Sequence, residues 1–494
     1  MKYTLQENDI RRPVHVPRRD IRLRRFIGWG ILGLIVFSPL PAASVYEWCR
    51  LVIQGTILAM TLAYLMIGRN TPPGTPSFDS LRWPRRMFTG FALFVLVQLI
   101  PFPAVVVRLL SPRLFDLRSR LSGVEEIRFM TLSAVPHRTI HDGLFIFCCM
   151  LLGFLIIRTV VTRRQIMRIA GVIVGVGIFE ALYGLFELTS ESPRILFYAK
   201  DYDLGSVTGT FVNRNHLSGY LEMVIPLAIG LIISRIDFVD WSGRKLRDRL
   251  LLLAEKGLAV NLLLSMGVVA MSLAVLYSRS RSGVFLLVFG ILLISGFVAL
   301  YFRNESAQRS WAAFLLRIIF IGILLVVFFS GIGSTLERFT RDDLLEEGRI
   351  SVWGKTLKMV GDFPLAGSGL GTFSRVYMAY DEEGGDVRFS HVHNDYLEYL
   401  SELGVPGFIM LLGGVLSLFA LSFKAWKDRR RPDVKGLGTG GITGIILILV
   451  HSLTDFNLHI PANMLLFTVV LSLTVVTVRY GRSSSPASGS GGEG

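Results

Sequence analysis

Apolar stretches of about 20 residues recur almost from one end of this 494-residue chain to the other. A hydrocarbon core of ~30 Å takes roughly 20 apolar residues to cross as a helix, and a backbone in lipid must satisfy its own N–H and C=O groups. The pattern therefore predicts an all-α, polytopic membrane bundle of about twelve transmembrane helices. They fall near 26–42, 47–67, 87–107, 143–160, 167–187, 217–234, 257–277, 283–302, 312–331, 406–423, 438–455 and 462–479. With 51% hydrophobic and only 18% charged residues, the composition excludes an ordinary soluble domain. PLPAAS (39–44) places small residues after the first apolar run, as a cleaved signal peptide would. As an uncleaved run it is the first span, and the later spans keep their orientation either way.

A net charge of +15 raises the question of a nucleic-acid partner, which the positions of the basic residues answer. The tail RRPVHVPRRDIRLRR (11–25) holds the N-terminus in the cytoplasm under the positive-inside rule. Counting spans from there, the loops on the same side contain RWPRR (82–86), TRRQIMR (162–168), RKLRDR (244–249) and KAWKDRRRPDVK (424–435), all basic. Topology thus accounts for most of the charge, and no nucleic-acid partner is expected. The chain divides into a basic cytoplasmic tail (1–25), nine spans (26–331), a long outer loop with short helices (332–405), three further spans (406–480) and a flexible Ser/Gly-rich tail (481–494). Cys49, Cys148 and Cys149 lie in or beside apolar runs without metal-ligand spacing, so neither a disulfide framework nor a metal site is expected.

The unusual polar motifs gather on the outer side. RISVWGKTLKMVGDFP (349–364) puts Ile350, Trp353, Leu357 and Val360 on one face of an amphipathic helix that ends at Gly361 and Pro364. Its first residue, Arg349, stands near the bundle mouth, either as a solvated helix-end cation or as a ligand-binding one. AGSGLGTF (366–373) has the glycines to wrap a phosphate but lacks the strand, helix and lysine of a P-loop, which favours a tight surface turn. In HVHNDYLEYLSELGVPG (391–407), Asp395 and Glu398 have capping-box spacing and Gly404 and Pro406 supply a stop, predicting a short helix near 396–403. His393 then lies just before a helix N-terminus. The dipole there attracts anions and disfavours imidazolium, as a general base for a hydroxyl requires. His391 and His393 could equally satisfy backbone groups in a loop.

His393-Asn394, nine residues, then Gly404-Val405-Pro406-Gly407 resembles the outer-loop signature of the O-antigen ligase family. GTFVNRNHLSGYL (209–221), SRSRSG (278–283) and HSLTDFNLHIPAN (451–463) are similar to further stretches of that superfamily, so the likeness spans roughly 170 to 480. It implies a metal-independent, inverting membrane glycosyltransferase of the bacterial inner membrane that needs no cofactor. The donor would be an undecaprenyl-diphosphate-linked oligosaccharide, and the acceptor a second lipid-linked glycan (polymerase) or lipid A core (ligase). The site would lie at the periplasmic mouth, with His393 catalytic or acceptor-orienting, and with arginines matching Arg281 and Arg349 on the diphosphate. The likeness of 209–221 leans toward a polymerase or exopolysaccharide enzyme.

Chemistry supports those roles independently, because guanidinium forks bind phosphate oxygens bidentately and a departing diphosphate concentrates negative charge. Arg281 and Arg279 lie where topology asks for no basic residues, although either could anchor a helix end at the headgroups. Arg214, in NRNH (213–216), stands at the outer end of a span among groups suited to sugar or phosphate, or to capping. Asp455, Asn457 and His459 form a further outer cluster that could orient His393 or bind acceptor, with Asn394 also a candidate. Glu180 and Glu222 fall within spans, where pairing with an arginine is expected. A lipid flippase or anion transporter is the competing class. It predicts charged sites at the midplane of broken, repeated helices, which the one-sided motifs do not resemble.

Overall fold

The computed structural model describes residues 18–67, 81–122, 128–200, 202–235, 258–301, 343–381, 389–429 and 431–480. Fifteen α-helices run through these residues. The first seven are α1 (Arg18–Phe37), α2 (Glu47–Ile67), α3 (Arg82–Leu99), α4 (Ala104–Leu110), α5 (Pro112–Ser122), α6 (Pro136–Thr159) and α7 (Arg163–Leu188). There follow α8 (Arg214–Arg235), α9 (Leu258–Tyr277), α10 (Arg281–Tyr301), α11 (Asp343–Asp362), α12 (Phe373–Val376), α13 (Asp395–Lys427), α14 (Pro432–His451) and α15 (Pro461–Arg479). Two small antiparallel ribbons complete the fold, β1 (Pro101–Pro103) with β2 (Phe129–Thr131) and β3 (Arg194–Ile195) with β4 (Tyr198–Ala199).

Nine helices among the described residues are long and apolar enough to cross a bilayer. The all-α polytopic class holds, with differences in detail. The span expected at 312–331 lies outside the described residues. The one expected at 87–107 ends at Leu99, because Pro101 and Pro103 cannot continue a helix. The chain turns there into β1, and the ribbon, α4 and α5 form part of a second core.

Start signals are local. Thr162 caps α7 in a box with Gln165, and prolines open α6, α14 and α15. The centre of the bundle is α8, buried along its whole apolar window, flanked by α14 and α15. Small residues permit the contact: a Cβ on Gly440 would stand 2.3 Å from the Pro226 carbonyl oxygen, so only glycine admits this backbone approach.

The helix ends sort the loops into two groups. At one end, Arg163 pairs with Asp433 at 3.0 Å, Lys435 Nζ donates to the Trp426 carbonyl and Arg429 Nε to that of Val478. This is the end of the basic loops. At the other, Gln98 Nε2 donates to the carbonyls of Ala366 (2.7 Å) and Glu402 (3.1 Å), and the Ala134 N–H to that of Ser368. Over this end lies the second apolar core, in which Leu114 and Met130 meet Val352, Phe363, Tyr377 and Val392.

Candidate functional site

α13 is two helices joined at Gly404, whose φ of 60° and ψ of −179° are non-helical. The short helix expected near 396–403 is therefore present, but its cap differs. Asn394, not Asp395, is the N-cap, its side chain accepting from the Leu397 N–H at 3.1 Å. The capping-box reading of Asp395 and Glu398 is corrected accordingly: Asp395 is the first helical residue, and Glu398 reaches back to accept from His391 Nδ1 (2.7 Å) and the Val392 N–H (2.9 Å).

His393 sits just before this cap with φ +54°, in the left-handed region that costs a side-chain-bearing residue of order 1–3 kcal/mol. Its Nδ1 lies 3.0 Å from Asp455 Oδ1, and its ring packs edge-on against Phe456 at 4.8 Å. Asp455 is 1% exposed and its Oδ1 also accepts the Phe456 N–H. Burial raises the Asp455 carboxyl, but the hydrogen bond from His393 and the surrounding imidazoles outweigh it and hold the group well below the usual carboxylate range. An ionised Asp455 accepts only, so the proton between the two groups resides on Nδ1, and in the neutral imidazole this tautomer leaves the lone pair on Nε2.

Phe456 is the hub of the site. His391 stacks on it at 4.1 Å and His216 meets it edge-on at 4.6 Å. Beside it, Ser282 Oγ meets Thr454 Oγ1 at 3.0 Å, which brings the N-terminus of α10, and hence Arg281, next to the Asp455 segment. Arg279 precedes it on the tight α9–α10 turn with φ +56°. That turn is fastened to α8 by Ser278 Oγ and Ser218 Oγ at 2.9 Å, and Ser218 Oγ also donates to the Arg214 carbonyl. Arg214 opens α8 and faces Asp203, its Nε 3.6 Å from Oδ1. Arg349 enters through α11: Trp353, on the next turn of that helix, donates from Nε1 to the Val392 carbonyl at 3.0 Å.

Thus His393, Asp455, Arg281, Arg279, Arg214 and Arg349 are drawn to one end of the bundle, although they are distributed from 214 to 455. Two other candidates face inward. Asn457 is fully buried, accepting from Asn463 Nδ2 at 2.9 Å and pressed against Gly219, and Asn394 is occupied as the helix cap. His459 does not reach His393. Its Nδ1 pairs with Asp395 at 2.6 Å, its Nε2 lies 3.5 Å from Glu398, and Tyr399 stacks on its ring. Burial alone would lower the His459 pKa, but Glu398 and Asp395 overcome it and push it up to about 10.

Three expectations are corrected. Among the described residues Glu222 pairs with His451 at 3.0 Å, and Glu180 accepts from the N–H and hydroxyl of Thr210, in place of the arginine partners expected. The glycine-rich turn is not on the surface. It is buried, with the N–H groups of Gly367, Ser368 and Gly369 spent on the carbonyls of Phe363, Ser401 and Glu402. No phosphate cradle remains there. The His391–Glu398 pair was not singled out from the sequence, where the signal is a glutamate seven residues after a histidine, across a helix start.

An all-helical, multi-pass bundle with its histidine, carboxylate and arginines collected at one end defines the class: a polytopic membrane protein with a one-ended polar site. Residues 266–412 match the family model described as O-antigen ligase, so this segment is similar to that family. The matched segment holds Arg279, Arg281, Arg349 and His393, whereas Arg214 and Asp455 lie outside it and join the site only through the fold. No curated protein matches the chain significantly.

Proposed function

We propose that this protein transfers a glycan from a polyprenyl diphosphate to an acceptor hydroxyl, with His393 as the general base. The observation that carries the reading is the His393–Asp455 pair, a partly exposed imidazole beside a buried carboxylate at 3.0 Å. In the step, Nε2 takes the acceptor hydroxyl proton as the oxygen attacks the anomeric carbon. The bond from that carbon to the diphosphate oxygen breaks, and the electron pair leaves with the diphosphate. Attack opposite the leaving group inverts the anomeric centre. The charge on the departing diphosphate is matched by Arg281, with Arg279, Arg214 and Arg349 around the same mouth. In this reading the guanidinium groups supply the charge stabilisation and a metal is not needed.

The membrane is the inner membrane, with both termini cytoplasmic and the site facing the periplasm. The support is the basic end opposite the site, where Arg163, Arg429, Arg431 and Lys435 gather. The acceptor is a second lipid-linked repeat or lipid A core, two hydroxyl donors that the same base serves. The test is to incubate purified protein with lipid-diphosphate-linked repeat units, with and without lipid A core, and to size the products. A ladder without core assigns polymerase activity, and product only with core assigns ligase activity. Unchanged donor in both arms would sink the proposal.

A further inference from the structure

A cavity of about 460 Å³ runs between α3, α6, α13 and α15, within the range of sites that enclose a small apolar ligand. Along α6 it extends from Ile146 to Arg158, which at 1.5 Å per residue is roughly 18 Å, more than half of a hydrocarbon core of ~30 Å. Its wall is almost wholly apolar. It reaches the surface where Leu93 (57% exposed) and Phe147 (42%) stand on α3 and α6, so a chain in the bilayer can enter sideways.

The charged residues lining it are Arg85 and Arg158, both at the end remote from His393. Arg85 is exposed on the first turn of α3, and Arg158 is buried at the last turn of α6, where its Nε donates to the Tyr64 hydroxyl at 3.2 Å. Among the lining residues, none at the end nearer the site carries a cationic side chain, and His459 behind Tyr399 is engaged by Asp395 and Glu398. That end is closed by Tyr399, whose hydroxyl donates to the Leu458 carbonyl. A lipid with its anionic head at the site end would meet that lid, whereas one with its head at the opposite end meets two guanidinium groups. Basic pockets between helices at the cytoplasmic end suit anionic headgroups.

We infer that this cavity binds one acyl chain of an anionic phospholipid, whose phosphate lies against Arg85 and Arg158 at the end opposite the polar site. The site is separate from the donor and acceptor positions proposed above and stands whether or not glycan transfer is found. Its role is to fill and brace the α3–α6–α13–α15 wall behind the His459–Tyr399 stack.

Delipidated full-length protein, titrated with phosphatidylglycerol or phosphatidylcholine of matched chains and read by native mass spectrometry, tests the proposal. Wild type is expected to retain phosphatidylglycerol about tenfold more strongly, as charge-assisted hydrogen bonds to phosphate imply. Arg85→Gln, at an exposed position, is expected to shrink that preference severalfold while phosphatidylcholine binding stays. Ala92→Phe, projecting a ring into the cavity, is expected to weaken both lipids. Equal retention of the two lipids by wild type overturns the headgroup assignment, and undiminished binding by Ala92→Phe overturns the cavity. Displacement of phosphatidylglycerol by a polyprenyl phosphate, with no effect of Arg85→Gln, assigns the cavity to a chain entering from the other end and also overturns it.

Discussion

At the residue scale the decisive feature is a histidine whose backbone is strained and whose ring is fixed. Asp455→Asn keeps the size of the partner but removes the charge that sets the His393 tautomer. It is expected to lower kcat by about 10²–10⁴-fold with little change in KM, the range of general acid–base contributions. Steady-state kinetics check this, and a pure KM effect would assign Asp455 to acceptor binding instead. Arg281→Lys retains charge but loses the bidentate fork, so kcat/KM for donor is expected to fall on the order of tenfold to hundredfold. His459 makes a pH prediction. Its folded pKa, about 10, lies above the unfolded value of ~6.5. Its contribution to stability is therefore complete below pH ~6.5 and lost as the pH rises through about 10. Thermal unfolding in detergent should show the wild type losing several degrees more than His459→Gln across that interval. Equal losses would show that the Asp395–His459–Glu398 contacts contribute nothing net. Asp455 has the opposite sign. Its depressed pKa stabilises above pH ~3.9, and that contribution is lost on acidification.

At the element scale, the kink in α13 positions the site. Gly404 lies at φ +60°, and a Cβ there would stand 2.8 Å from the carbonyl oxygens of Pro364 and Leu365. Gly404→Ala is therefore expected to destabilise the protein by more than the ~1–3 kcal/mol of backbone strain alone, and to lower activity by displacing the 395–403 segment. Denaturant midpoints and transfer rates measure the two effects, and a wild-type-like variant would show that the kink does not depend on glycine. Much of this element was legible in sequence, because Gly404 and Pro406 are strong local stop signals and the apolar run after them is long. The cap was misplaced by one residue, since Asn394 and Asp395 are both good caps and only the fold shows Asp395 turned to His459. The 87–107 span was overextended because its apolar character continues past Pro101, where the backbone cannot. The buried glutamates were assigned the wrong partners because spacing reveals that an ionisable group needs compensation but not which helix supplies it. His451 and Thr210 come from helices and turns distant in sequence.

At the scale of the whole molecule, the alternation of basic and motif-bearing loops anticipated two chemically distinct ends, and the described helices place the polar site and the basic loops at opposite ones. The second apolar core over the site was not anticipated, since residues 101–131 carry no periodicity long enough to announce it. The orientation is open to direct test, as Cys49, Cys148 and Cys149 are all buried. A membrane-impermeant thiol reagent is expected to label Met378→Cys, 51% exposed at the site end, in intact cells. Trp83→Cys, 53% exposed at the basic end, should react only after permeabilisation, and the reverse pattern would invert the proposed topology. In the proposed reaction an imidazole at the bundle mouth drives glycan transfer from a lipid diphosphate. Its most direct measurement is the rate of polyprenyl diphosphate release from lipid-linked glycan by wild type and by folded His393→Ala protein in the presence of acceptor. A loss of about 10²–10⁴-fold is expected in the variant. Release at the wild-type rate would contradict the proposal.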